Sequence, residues 1–486
     1  MSALAFLFSA DKKLDDRLSP ILVKELRQGM RARAFVISYL LLQVFLSVLV
    51  LANAAAQGDH MALEEQSHFF WIIVGFTLLV LMPLRGLVAI SQEVRNRTIE
   101  TIMLTRMTAW RVVFGKWSAL FAQSLLLVSA VLPYVVLRYF IGGDDIVSDF
   151  VWIIVFLWLS GLLIAATIAV SGLANAVIRI VLLIGIIIMF AFGVGDFSTP
   201  GFTMGSAWQA AGWMIIGGIF IPALLFELTA SSLAPASENH AIRRRFLAVA
   251  FFLTAFFLGG TTKTDFSPGF VVPLLVLVGV CYYELAEKPR VIPRMVRNFG
   301  QHGMLGRLAA IFLLPGWPSG LMFSLVAIPL SMTGVFVMLP PDAAVGWYLP
   351  IVSVFGSVLV PVLLCHTFLP RLNQVLLIVV LYNLILLGIT SILEGFAVLT
   401  HASITPLLAF IPSVPVLYVA RNATEDVFKD FVGYYLVGNT IVVGAVTLLL
   451  LVGSRRYFRD VFAVLHSSAT TASPAERPPE SAVTPS

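Results

Sequence analysis

Runs of about 18–25 consecutive apolar residues constrain this chain more than any other feature, and 35–56 and 69–90 are two of them. Such a run crosses roughly 30 Å of hydrocarbon at about 1.5 Å per helical residue. Within lipid only helices and closed barrels satisfy their own backbone. Continuous apolar runs exclude an outer-membrane barrel, whose strands alternate apolar and polar residues. Composition agrees: of 486 residues 59% are hydrophobic and 12% charged, whereas a soluble domain carries about 25% charged residues. The chain reads as an all-α, polytopic membrane protein.

Twelve blocks read as spans: 35–56, 69–90, 117–140, 150–173, 177–195 and 207–234, then 245–261, 270–286, 320–339, 347–369, 374–399 and 431–452. A further block, 402–420, contains Pro406, Pro412 and Pro415, each of which removes a helical hydrogen bond. Basic residues set the orientation. Lys12, Lys13, Arg17, Lys24, Arg27, Arg31 and Arg33 precede the first span, and the loop after it has no Lys or Arg. Arg95, Arg97, Arg106, Arg111 and Lys116 fill the next loop, and the alternation continues. If 402–420 dips in and returns, both termini are cytoplasmic and 26 of the 31 Lys and Arg lie on that side. If it crosses, Arg455, Arg456 and Arg459 end up outside, so the re-entrant reading is preferred. The net charge of +5 then belongs to inner-leaflet anchoring, and no nucleic-acid partner is expected.

The opening ten residues are apolar but short, with no basic residue before them. They make a poor signal peptide, and the first span is read as a permanent helix. Cys281 and Cys365 are the two cysteines, too few for a disulfide framework or a Cys-based zinc site. Each group of six spans has its longest cytoplasmic loop after its second span, so a six-plus-six arrangement is expected. The tail, 467–486, is rich in Ser, Thr, Pro and Ala and has little to bury, so it is expected to be disordered.

Two cytoplasmic segments carry information. In Ser19–Arg33, SPILVKELRQGMRAR, Ser19 can cap a helix whose first position is Pro20. Leu22, Leu26, Gly29, Met30 and Arg33 fall on one stripe, with Lys24, Glu25, Arg27, Gln28 and Arg31 around the rest. That pattern predicts an interfacial amphipathic helix under the first span, serving as an anchor, a docking surface or both. In 90–116 the charges Glu93, Arg95, Arg97 and Glu100 precede Thr105 and Thr108 and then Gly115-Lys116. A helix running along the interface has this form, and so does an ordinary basic loop.

Together these segments resemble the permease subunits of ABC-2-type transporters. The resemblance rests on PILVKELRQGMRAR and on E-x-R-x-R-T-I-E-x-I-x-x-T-R-M-T…G-K. It covers about the first 120 residues, and the six-span pattern to about Ala234. Arg97 stands where that family commonly has Gly, and Arg106 where it commonly has Pro. The resemblance implies a type V exporter-like core of six helices over 35–236, preceded by a cytoplasmic connecting helix in 1–34. Pro20, Lys24, Glu25 and Arg27 would belong to that connecting helix. A coupling helix at about 91–111 would sit in a groove of a partner ATPase through Glu93, Arg95, Arg97, Thr98, Glu100 and Thr105. Gly115 and Lys116 would mark the return of the chain into the membrane. A second six-helix region, 237–466, is not explained by a standard six-span permease.

No P-loop is present: before Gly115-Lys116, Trp110 stands where the first Gly should be. The chain is therefore expected not to be an enzyme, with ATP and Mg on a separate cytoplasmic ATPase. A second permease copy or paralogue and membrane lipid are the other expected partners, in the cell (inner or plasma) membrane. Arg85, Arg179, Glu227, Glu284, Asn383, His366 and Glu394 lie within or near spans. Intramembrane ionisable groups can mark a pathway, although near span ends snorkelling suffices. Glu394 is the chosen pathway candidate, because it lies toward the outer end of its span near the 402–420 block. No catalytic or metal residue is assigned. Two other readings stay open: a membrane-embedded glycosyl or phosphoryl transferase, and a non-transporting anchor of an ATPase.

Overall fold

A computed structural model describes residues 20–55, 69–91, 108–142, 146–172, 204–235, 238–262, 268–338, 341–368 and 427–471, with parts of 375–392. Helices are the only extended elements among the described residues. Seven of them are long and apolar enough to cross a membrane, or eight if one sharply bent pair counts as a span. A multi-pass helical membrane protein is the result. Of the twelve expected spans, 177–195 lies outside the described residues, as does the 402–420 block, and 374–399 is described only in parts. The blocks 245–261 and 270–286 do fold as helices but do not belong to the seven.

The chain divides into two compact units, Met1–Ala234 and Pro235–Ser486. In the first, α1 (Pro20–Arg31) leads through Ala32 into α2 (Arg33–Ala55). Then follow α3 (Phe69–Ala89), α4 (Ala109–Gly142), α5 (Ile146–Ser171) and α6 (Met204–Leu233). Their shared core holds Leu46 of α2, Phe70, Val74 and Leu78 of α3, Leu127 and Val131 of α4, and Phe156 of α5. Val36, Ile37, Leu40, Leu41, Val44 and Val48 of α2 remain exposed. In water such a stripe would be a liability; in hydrocarbon it is the lipid-facing side of the helix.

Pro83 explains a local departure in α3. Its ring cannot follow the carbonyl four residues back, and the chain widens into a π-turn over Thr77–Leu81 just before it. The Met82 N–H accordingly bonds to the Thr77 carbonyl, five residues back. One turn later Gly86 lets α3 lie directly on α5, where a Cβ would collide with the Thr167 hydroxyl.

The second unit contains α7 (Ala241–Thr262), α8 (Pro268–Ala286), α9 (Pro293–Gly300) and α10 (Gly303–Leu313). They are followed by α11 (Trp317–Met338), α12 (Pro341–Phe368) and the long α13 (Val427–Thr471). Leu285, Leu321, Leu359, Val362 and Leu450 join α8, α11, α12 and α13 in one core. Met295 and Val296 of α9 pack with Val461 and Leu465 of α13 in a second. Between α10 and α11 the axis turns by 94°. Gly316 makes this corner: its φ of +110° suits glycine alone, and a Cβ there would lie 2.7 Å from the Pro289 Cα. The Trp317 N–H then bonds to the Glu287 carbonyl at 2.9 Å, and the Trp317 ring stacks on His366 at 4.6 Å.

Candidate functional site

The amphipathic pattern folds as the sequence predicts a helix should, with Pro20 in the first turn and Arg31 in the last, where a cation meets the negative helix end. Its inward face differs from expectation in one respect. Glu25, expected on the polar surround, turns toward α4 and places its carboxylate 3.0 Å from the Lys116 ammonium. Met30 and Arg33, expected on the apolar stripe, are exposed instead. The physical reason is Lys116. Only 5% of its side chain is accessible, and a buried ammonium demands an anion more strongly than a methionine demands burial.

Gly115 and Lys116, expected where the chain returns to the membrane, both lie inside a helix. The helix α4 begins at Ala109, so Lys116 sits two turns inside it, and residues 109–111 of the expected coupling segment belong to α4.

Two further contacts fasten α1. Gly29 packs so closely on α4 that a Cβ would strike the Gln123 amide. Arg85 of α3 donates to the Gln123 side-chain carbonyl and, at 3.1 Å, to the backbone carbonyl of Gly29. Its guanidinium also lies over the Phe35 ring of α2, 5.4 Å from the centroid. Helices α1, α2, α3 and α4 thus converge on Arg85 and Gln123. Lys24 and Arg27, the other expected connecting-helix residues, point away and are exposed. The expected coupling residues Glu93, Arg95, Arg97, Thr98, Glu100 and Thr105 lie outside the described residues, as does Glu394.

Two other buried ion clusters join charges that lie apart in the sequence. Arg138 near the end of α4 lies 3.6 Å from Asp149 in the first turn of α5, with the Phe70 ring 4.4 Å from its guanidinium carbon. Asp149 there also complements the positive helix start.

In the second unit Glu284 of α8 is fully buried between Arg244 and Arg245 of α7, with N–O distances of 2.8 and 2.5 Å. Arg244 reaches Glu287 at 2.8 Å, and Arg245 donates to the Phe312 carbonyl at the end of α10. Burial pushes the Glu287 carboxyl above the usual glutamate range, outweighing the opposite pull of Arg244. A signal for this cluster was present: a carboxylate near the end of an apolar block, Glu284, requires cations or water, and the 243–245 arginine run supplies the cations.

Of the remaining polar span residues, Asn383 donates to the carbonyls of Val379 at 2.8 Å and Ser357 at 3.2 Å, a structural role. Glu227 is buried in α6. Among the described residues no three His, Cys, Asp or Glu side chains come together as a metal site would require. Comparison of the chain with protein-family models, curated proteins and solved structures finds no match.

Proposed function

We propose that this chain is the membrane-spanning subunit of an ATP-driven exporter of the ABC-2 type, with about twelve spans and both termini in the cytoplasm. It works with a separate ATPase that binds ATP and Mg and docks on the charged segment around Glu93–Glu100. The observation that carries this reading is the fastening of α1 to α4 through Glu25 and Lys116. The residues just after the charged segment open α4 at Ala109. A push on that segment is therefore delivered to the helix that holds α1, and Arg85 brings α3 into the same body. A rigid, charged element is what a soluble motor needs to move a helical bundle, and complementary charges fix its register on the partner. Two such bundles, from a second copy or a paralogue, line the path.

The test is affinity purification of the full chain from mild detergent, with mass spectrometry of what accompanies it. Co-purification of a P-loop ATPase, lost when Glu93→Lys and Glu100→Lys are combined, supports the reading. Elution without any ATPase after crosslinking in the membrane overturns it. Glycosyl or phosphoryl transfer by the isolated chain would establish the enzyme alternative instead.

A further inference from the structure

Beneath α1 lies a cavity of about 200 Å³ whose walls include Glu25, Gln28, Gly29, Arg85, Lys116 and Gln123. Its two cations differ in their partners. Lys116 is matched by Glu25 at 3.0 Å. Arg85 meets only neutral acceptors, the Gln123 side-chain carbonyl and the Gly29 backbone, and an aromatic face. No carboxylate among the described residues pairs with it. A guanidinium does not shed its proton, and a half-buried one on a membrane helix is ordinarily paired or turned to water. Among the described residues the cavity thus has one permanently charged guanidinium, that of Arg85, with no carboxylate facing it, beside open space.

The surroundings indicate what fills that space. Gln123 and the Gly29 carbonyl each engage one terminal nitrogen of Arg85, which fixes the plane of its fork. A guanidinium so oriented recognises a tetrahedral or planar oxyanion with two parallel hydrogen bonds. Water occupies about 30 Å³ per molecule, so the volume admits a phosphate group together with a few waters. Gln28 and Val88 on the wall are exposed, Val88 by 54%. The cavity accordingly has a charged floor and an apolar side that reaches the protein surface.

We propose that this cavity binds a phosphate-bearing anion on Arg85. Its source is either the headgroup of an acidic phospholipid, with the acyl chains passing Val88, or free phosphate. Binding there would clamp α1 against α3 and α4 and so link the position of the interfacial helix to the anion. The inference needs only α1 at the membrane interface and holds whether or not the chain is a permease.

The experiment uses the full chain in phosphatidylcholine nanodiscs and reads its thermal unfolding midpoint during two titrations, one with phosphatidylglycerol and one with inorganic phosphate. A saturable rise with either probe is expected, and the probe that produces it identifies the source. Arg85→Gln should weaken the response about 10- to 100-fold, the factor a charge-assisted hydrogen bond carries, while Arg85→Lys retains part of it. Arg31→Gln, on the exposed face of α1, should respond as the parent does. Should Arg85→Gln fail to fold, Ala32→Leu, at another position on the cavity wall, fills the cavity and keeps the guanidinium, and it should lose the response. Equal responses in the parent and in the Arg85 or Ala32 variants, or no response to either probe, would overturn the assignment.

Discussion

Glu25 and Lys116 stand 3.0 Å apart across 91 residues of sequence, and they differ in burial: 23% of the Glu25 side chain is accessible against 5% for Lys116. The asymmetry predicts unequal effects of removing either partner. Glu25→Gln takes a carboxylate from a nearly buried ammonium and should cost about 1–3 kcal/mol. Lys116→Met leaves a carboxylate that water already reaches, and should cost less. The double variant should lie closer to Lys116→Met than to the sum of the two. Thermal unfolding of the purified full chain measures all three. Equal small losses for both single variants would reduce the pair to a surface ion pair.

Glu284 has the opposite character. Fully buried, it accepts from two arginines that are themselves buried. Glu284→Gln leaves two guanidinium charges against Glu287 alone, and breaking a buried cluster in this way costs about 3–5 kcal/mol. Adding Arg245→Met removes one of the excess charges and should return part of the stability, although Arg245 also serves the Phe312 carbonyl. Size-exclusion profiles after heating distinguish these variants. If Glu284→Gln melts with the parent, the cluster contributes no net stability.

The partners of Glu284 and Glu25 are hard to identify in the sequence for one physical reason. Apolar runs are local, so the stretches that became α2 through α6 were visible as blocks, to within a few residues at their ends except at the start of α4, which begins at Ala109 rather than 117. Ion pairs inside a helical bundle are not local: Glu284 meets Arg244 forty residues away, and Glu25 meets Lys116 across two intervening helices. A single amphipathic helix also gives its face only relative to an imagined flat membrane. For α1 the true neighbour is α4, and the cation on α4 decided which residues turned inward. The corner at Gly316 is legible only in part: Pro315-Gly316 marks a turn, but nothing in that pair encodes a right angle.

That corner yields a prediction about depth. With α11 crossing the membrane, a turn of 94° lays α10 along the surface of the bilayer. Met304 and Leu305 on it are each 78% exposed, and Arg307 follows. Apolar side chains with basic neighbours in this setting belong at the headgroup boundary. A nitroxide at Leu305→Cys should report preferential collision with oxygen over a water-soluble nickel complex, as for a shallow lipid site. Preferential collision with the nickel complex would set α10 in water. Gly316→Ala should disturb this geometry, because both its φ and the Pro289 Cα oppose a side chain there.

Gly86 offers a test in which two effects of known sign compete. In a helix, exchanging glycine for alanine gains about 0.5–1 kcal/mol through the backbone. At this position the new methyl group meets the Thr167 hydroxyl, and the Ile164 carbonyl lies 3.4 Å away. Overpacking of that kind costs about 1–3 kcal/mol, so Gly86→Ala should destabilise the first unit despite its better propensity. Thr167→Ala removes the obstructing oxygen and sacrifices its hydrogen bond to the Ile164 carbonyl, 3.0 Å in the native chain. Alone it should cost about 1 kcal/mol; combined with Gly86→Ala it should cost nothing further or restore stability. Additive losses in the double variant would mean that α3 and α5 do not approach each other at Gly86 as closely as the structure places them.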